Sequence, residues 1–244
     1  MNFLITGGNS GIGLEILKIL SKNFKNNFFV ISKKNTNVKN YKNIKFFKLN
    51  LENTKKTKIV IKKILNQSQN KIDVVICNAA QGTFGPINMI NLKDLEKDYN
   101  TNFFSHLIII KSILPSMIKR QSGHIINIAS GTGLYGLENL LSYALGKSSM
   151  QILIETIKNE NINNNIFAKN IYPGITQTDF QKKNKFINKK YKNKIIGKKK
   201  EYIAKIIVKN IFSKKLNIFC QSITRITFLM RVLPFLNTIK KFIF

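Results

Sequence analysis

Short apolar runs alternate along the chain with longer stretches whose apolar residues recur every third or fourth position. The runs predict strands at Asn2–Thr6, Phe28–Ser32, Ile44–Leu49, Ile72–Cys77, His124–Ser130, Ile166–Tyr172 and Leu216–Cys220. Most are rich in Ile, Val and Phe, as strands covered on both faces should be. The periodic stretches predict helices at Gly11–Lys22, Thr54–Asn70, Leu92–Arg120, Ser142–Glu160 and Glu201–Phe212. Lys33–Asn43 has no periodicity and reads as a loop. Strand and helix in alternation imply an α/β fold: a doubly wound parallel sheet of about seven strands, in three layers, as a single domain.

The first strand runs straight into Thr6-Gly7-Gly8-Asn9-Ser10-Gly11-Ile12-Gly13, and a helical pattern follows at once. Backbone that must approach a pyrophosphate needs glycine, and the new helix aims free N–H groups at the phosphates. A Rossmann-type dinucleotide site is expected here. The second strand ends in Ser32-Lys33-Lys34 with no carboxylate to accept from ribose hydroxyls, and lysine there attracts a 2′-phosphate. NADP(H) is therefore favoured over NAD(H).

At 244 residues and 43% hydrophobic, the chain can bury a full core. No signal-peptide pattern precedes the first strand, and Cys77 and Cys220 lack metal-ligand spacing, so a reduced, cytoplasmic protein is expected. The formal net charge is +30, yet only Arg120, Arg225 and Arg231 are arginines. A nucleic-acid surface would use more arginine, with aromatic platforms, and no nucleic-acid partner is expected. Drift toward Lys, Asn and Ile accounts for the charge, with attraction to anions as a secondary effect. His106 and His124 have no ligand-spaced partners, so they read as structural and no metal is expected.

Tyr143 and Lys147 stand four residues apart, hence on one face of a helix. An ammonium beside a phenol lowers its pKa and makes an acid/base unit. Ser130 lies thirteen residues before Tyr143, at the edge where open α/β sheets bind ligands.

Together these motifs resemble the short-chain dehydrogenase/reductase family over residues 2 to about 180. The glycine turn matches T-G-x-x-x-G-x-G, and Tyr143-Ala144-Leu145-Gly146-Lys147 matches Y-x-x-x-K. Thr101-Asn102-Phe103-Phe104-Ser105, with Pro115 thirteen residues after Asn102, is similar to the family's v-N-x-x-G/S helix. Tyr172-Pro173-Gly174-Ile175-Thr176-Gln177-Thr178 resembles P-G-x-V-x-T, and Cys77-Asn78-Ala79-Ala80 resembles N-N-A-G with Cys and Ala substituted. The resemblance implies hydride transfer between nicotinamide and a carbonyl or secondary alcohol. Tyr143 is then the acid/base, and Ser130 holds the substrate oxygen. Lys147 tunes Tyr143 and bonds the nicotinamide ribose, while Asn102 anchors a water that links Lys147 to solvent. Cofactor contacts are implied for Gly7, Asn9, Ser10, Gly11, Ile12, Gly13, Ser32, Lys33, Asn50, Leu51, Asn78, Ala79, Tyr143, Lys147, Pro173, Gly174, Ile175 and Thr178. Asn50 replaces the family's adenine-contacting Asp, which implies weaker adenine recognition.

Residues 1–222 are expected to form the domain, with a mobile lysine-rich lid at 176–200 and an apolar, basic extension at 223–244. The lid lysines (Lys182, Lys183, Lys185, Lys189, Lys190, Lys192 and Lys194) suit an anionic or carrier-linked substrate, or are solvated drift. The extension carries Ile226, Phe228, Leu229, Met230, Val232, Leu233, Phe235 and Leu236 beside Arg225, Arg231, Lys240 and Lys241. It suits packing over the pocket, a homodimer or homotetramer contact, or peripheral membrane contact. Besides the enzyme, a non-catalytic dinucleotide-binding sensor or scaffold stays open, although a pure binder needs no proton donor.

Overall fold

The computed structural model describes residues 1–34, 42–188 and 197–232. Its central sheet holds β1 (Asn2–Thr6), β2 (Asn27–Ser32), β3 (Ile44–Lys48), β4 (Val74–Cys77), β5 (Gly123–Ile128), β6 (Ile166–Tyr172) and β7 (Asn217–Phe219). All are parallel, in the order β7-β6-β5-β4-β1-β2-β3. The order reverses between β1 and β4, which opens a crevice at their carboxyl ends. This is the Rossmann-type, doubly wound architecture in three layers.

The helices are α1 (Gly11–Leu20), α2 (Thr54–Gln67), α3 (Leu92–Tyr99), α4 (Ser105–Arg120), α5 (Leu141–Glu160), α6 (Lys200–Lys209) and α7 (Ser222–Val232). Alternation along each strand divides the core. Leu4, Phe29, Ile31, Val75 and Ile125 join a cluster with Ile61, Ile109, Ile113 and Ile154 of α2, α4 and α5. Phe3, Ile5, Val30, Val74 and Ile126 face Ile16, Leu17, Ile203 and Ile207 of α1 and α6. Both faces of every inner strand are therefore dry.

Three expectations need correction. The run Leu92–Arg120 is not one regular helix: a π-turn, Asn100–Phe104, interrupts it and carries Asn102. Ser130 does not end β5, which stops at Ile128; Ser130 instead caps a 3₁₀ turn, Gly131–Leu134, by accepting from the Thr132 N–H. The described part of the lid is structured. Lys185–Phe186 pairs with Thr83–Phe84, Lys198–Lys199 pairs with Thr176–Gln177, and Phe180–Lys183 forms one helical turn. Lid lysines 189, 190, 192 and 194, the C-terminal residues from Leu233 onward and most of the predicted 33–43 loop lie outside the described residues.

The run Leu92–Arg120 is long and apolar enough to cross a membrane. Ile109, Ile110, Ile113 and Met117 of that run are buried in this core. Helix α7 lies against the sheet: Phe228 packs on Phe219 at 5.3 Å and on Tyr172 at 6.1 Å between ring centroids. Its Thr227 carbonyl accepts from Tyr135 Oη at 2.9 Å.

Candidate active site

Strand register brings distant motifs to one edge. Ile5 pairs with Ile76, Cys77 with Asn127, and Ile128 with Ile171. Gly7, Asn78, Ser130 and Pro173 therefore emerge side by side at the carboxyl ends of β1, β4, β5 and β6.

The glycine turn is tightly constrained. Gly7 and Gly11 have φ of +66° and +56°, a region that side chains strain to occupy. A Cβ on Gly13 would lie 2.4 Å from Asn78 Nδ2 and 2.5 Å from the Gly7 carbonyl. Asn78 Nδ2 donates to the carbonyls of Thr6 and Gly7, each at 3.1 Å. Thr178 sits beside the turn, its Cγ2 being 3.6 Å from where a Gly11 Cβ would stand. Ser10 precedes α1 without a side-chain cap, and the first turn has no acidic residue. The N-terminal amides of α1 are thus left for an anion.

Thr6 Oγ1 accepts from the N–H groups of Asn78 and Ala79, both at 3.0 Å, which uses its two lone pairs. Its proton then goes to His106 Nε2, 2.9 Å away, which makes Nδ1 the protonated nitrogen of that ring, donating to the Asn102 carbonyl at 3.2 Å. Burial holds this imidazole down at about 4. His106 therefore ties the glycine turn to the π-turn as a neutral link. The Asn102 side chain is buried and clasps Gln81, accepting from its N–H at 2.9 Å and donating to its carbonyl at 2.8 Å. Helix α5 meets this π-turn at Gly146, where a Cβ would lie 2.4 Å from that of Asn102.

Tyr143 and Lys147 share one face of α5. Lys147 Nζ is 5.7 Å from the Tyr143 ring centroid and donates to the Ile128 carbonyl at 2.6 Å. Burial brings the ammonium down to about 8, while nearby Cys77 pulls the other way. The drop expected for the Tyr143 phenol does not occur. Burial pushes it up to about 12, against the pull of a hydrogen bond with Ser130. Desolvation of the phenolate outweighs that pull. Ser130 Oγ also meets Thr132 Oγ1 at 2.9 Å, and its carbonyl accepts from Gln151 Nε2 at 3.0 Å.

Several residues here carried no sequence signal. Phe180 and Phe84 stand 5.3 and 6.3 Å from the Tyr143 ring, and Phe186 packs on Phe84 at 5.0 Å. Buried Asp98 accepts from the Thr83 N–H at 2.6 Å and from Ser142 Oγ at 2.8 Å, joining the Phe84 strand to the start of α5. Gln221 donates to the carbonyls of Pro173 and Ile175, both at 2.8 Å, and holds the bend at Gly174, whose φ is +74°.

On the far side of the crevice the expected nucleotide contacts already have partners within the chain. Ser32 turns its hydroxyl to the Lys34 carbonyl at 2.7 Å, and Asn50 Oδ1 accepts from the Glu52 N–H at 3.2 Å. Leu51 is buried, its carbonyl accepting from Ser105 Oγ at 2.6 Å. Lys33 reaches Glu52 and Gln81. Asn9, Ser10 and Ile12 lie on the glycine turn, whereas the Ile175 side chain is half exposed.

A protein-family comparison decides the lineage: the model for short chain dehydrogenases matches residues 2–187. The chain belongs to this family. Retinol dehydrogenase 8 of Bos taurus is 34% identical over 113 residues, 46% of this chain and 36% of that protein. The chain thus matches little more than a third of that relative's length. A 3-oxoacyl-[acyl-carrier-protein] reductase of Buchnera aphidicola is 30% identical, over 84% of this chain and 86% of its own. A short-chain dehydrogenase structure from Streptomyces avermitilis superposes with a TM-score of 0.83 at 19% identity, covering 98% of this chain and 96% of the other.

Proposed function

We propose that this short-chain dehydrogenase relative is an NAD(P)(H)-dependent oxidoreductase acting on a carbonyl or secondary alcohol, with Tyr143 as acid/base and NADP(H) favoured. One observation carries the reading: Ser130, Tyr143 and Lys147 converge at the sheet edge that also bears the glycine cradle. The cradle suits a dinucleotide, since Gly7 and Gly13 let the turn close against Asn78 and Ala79 while Gly11, with only Thr178 beside it, leaves backbone open to a pyrophosphate. Gly7, Gly11, Gly13 and the amides of α1 would hold the phosphates, Asn78 and Ala79 would line the adjoining wall, and Thr178 would close the site. When bound, the reduced nicotinamide supplies the hydride.

Tyr143, protonated across the neutral range, gives its proton to the carbonyl oxygen and so leaves the product as an alcohol. Ser130 donates a hydrogen bond to the same oxygen as its charge grows. Lys147, charged below about 8, steadies the phenolate that remains. Asn102 fixes Gln81 and the packing of α5, and so acts by positioning.

The substrate face is apolar. Phe84 and Phe180 flank the Tyr143 ring, whereas Lys182 and Lys185 of the lid point to solvent and pair with Asp179 and Asp94. A ring-bearing or long-chain carbonyl fits this setting better than a small anion. The test follows absorbance of reduced nicotinamide over a panel of apolar and anionic carbonyls. Tyr143→Phe is expected to lower turnover by roughly 10²–10⁴-fold and to leave nucleotide affinity within a few-fold. Retained turnover would reassign the proton donor.

A further inference from the structure

The lysine at the end of β2 is already engaged. Lys33 Nζ lies 2.8 Å from Glu52 Oε1 and 2.7 Å from Gln81 Oε1. These three residues come from different strands: Lys33 follows β2, Glu52 follows β3 and Gln81 follows β4. β1 lies between β2 and β4, so the contact from Lys33 to Gln81 crosses the carboxyl edge above the glycine turn. That crossing covers two strand spacings, roughly 10 Å, along the route a dinucleotide takes from the cradle to its adenosine end. Gln81 is itself fixed at its backbone by Asn102, so the far post of this strap is rigid. Its near post is half exposed: the Lys33 side chain is 49% accessible and that of Glu52 24%.

We propose that Glu52 is a specificity-determining residue of the nucleotide site, whose carboxylate takes up the Lys33 charge and repels a 2′-phosphate, so that the preference for NADP(H) is narrowed. The inference rests on the nucleotide site proposed above. A lysine after β2 gains from a 2′-phosphate only the charge it has not already given to another anion. Entry of NADPH replaces Glu52 by phosphate as the partner of Lys33 and leaves the carboxylate facing like charge. Entry of NADH leaves the ion pair intact or parts it without a new anion. Only the first route sets a new anion beside the carboxylate and so adds repulsion. Burial raises the Glu52 carboxyl, but hydrogen bonds from Lys33, Gln81 and Asn50 and the Lys33 charge outweigh it and hold the group below its ordinary value. The carboxylate is therefore charged wherever the enzyme would work.

The test titrates the full chain with NADH and with NADPH, reading the fluorescence of the reduced nucleotide so that no substrate is required. Glu52→Gln keeps the side chain's shape and removes its charge. It is expected to tighten NADPH by about five-fold, the scale of a half-exposed ion pair, and to leave NADH within about two-fold. The gain should shrink as salt rises. Lys33→Ser, which leaves Glu52 alone, should weaken NADPH by about ten-fold or more with NADH nearly unchanged. The double variant should bind the two nucleotides alike. If Glu52→Gln shifts both affinities equally, or neither, the strap only holds the loops and the inference is overturned while the nucleotide site stands. Should the unaltered chain bind neither nucleotide, the functional reading falls and takes the inference with it.

Discussion

At the proposed catalytic end of the crevice, Lys147, Asn102, Asp98 and His106 are buried and every one has a short partner, while Phe84 and Phe180 stand beside Tyr143. At the β2–β3 end, Lys33, Glu52 and Gln81 meet in a half-exposed triangle of long side chains. The first arrangement shifts acidities and fixes geometry, because few water molecules compete for each group. The second trades charge with solvent and salt, and its pairs are individually weak. The proposed function thus sets chemistry where single groups count heavily, and nucleotide choice where effects are small and adjustable.

The sharpest way to break this contrast is at Asp98. Its carboxylate serves Thr83 and Ser142 together, so Asp98→Ala would remove two bonds to a buried charge and leave the two residues only each other, Thr83 N–H to Ser142 Oγ at 3.0 Å and Ser142 Oγ to the Thr83 carbonyl at 2.9 Å. A loss of about 3 kcal/mol in stability is expected, measured by urea unfolding. Ser142→Ala leaves the Thr83 bond in place and should cost about 1 kcal/mol. A surface-sized loss for Asp98→Ala would mean that the buried end is no more tightly built than the exposed one.

The second test is pH. Lys147 carries its charge below about 8 and loses it above, because burial disfavours the ammonium. The Tyr143 phenol, held up at about 12, stays protonated throughout. The rate of carbonyl reduction should therefore hold to about pH 8 and then fall, approaching ten-fold per unit. A limb that begins near 10 would show that Lys147 is not desolvated in the working enzyme.

These features differ in how far the sequence betrayed them. Strands β1 and β6 fall on the residues their apolar runs predict, and α1 and α5 differ by no more than two residues at either end. Tyr143 and Lys147 share a face because spacing within one helix needs no tertiary information. The glycine turn is legible for the same reason: its demands are local. The π-turn at Asn102 was not, since one extra residue per turn leaves the apolar pattern of Leu92–Arg120 nearly unchanged. Partnerships such as Asp98 with Ser142, 44 residues apart, depend on which helix packs on which, and no periodicity reports that. The lid misled through its lysines. Phe180, Phe186 and Ile187 are few among them, yet these supply the contacts with Tyr143, Phe84 and Gly85. The expected fall in the Tyr143 pKa failed similarly: spacing places the ammonium on the right face, but cannot reveal the burial that pushes the phenol up.

The smallest expected effect separates the two kinds of contact within the lid itself. Asn184 accepts from the Gly82 N–H at 3.0 Å, next to the strand that carries Phe84. One residue on, Lys185 pairs with Asp94, its own side chain 60% exposed. Asn184 holds the lid to the β4–α3 connection and Lys185 holds it to α3, so these adjacent residues differ mainly in solvation. Asn184→Ala leaves the Gly82 donor without its partner and should lower kcat/KM for an apolar carbonyl by about five-fold. Lys185→Ala removes an ion pair already shared with water and should cost about two-fold or less, a difference that disappears in high salt while the Asn184 effect persists. Equal losses in both variants, with equal salt dependence, would mean that the lid is held by charge, and the division between a dry catalytic end and a wet selective end would no longer describe this crevice.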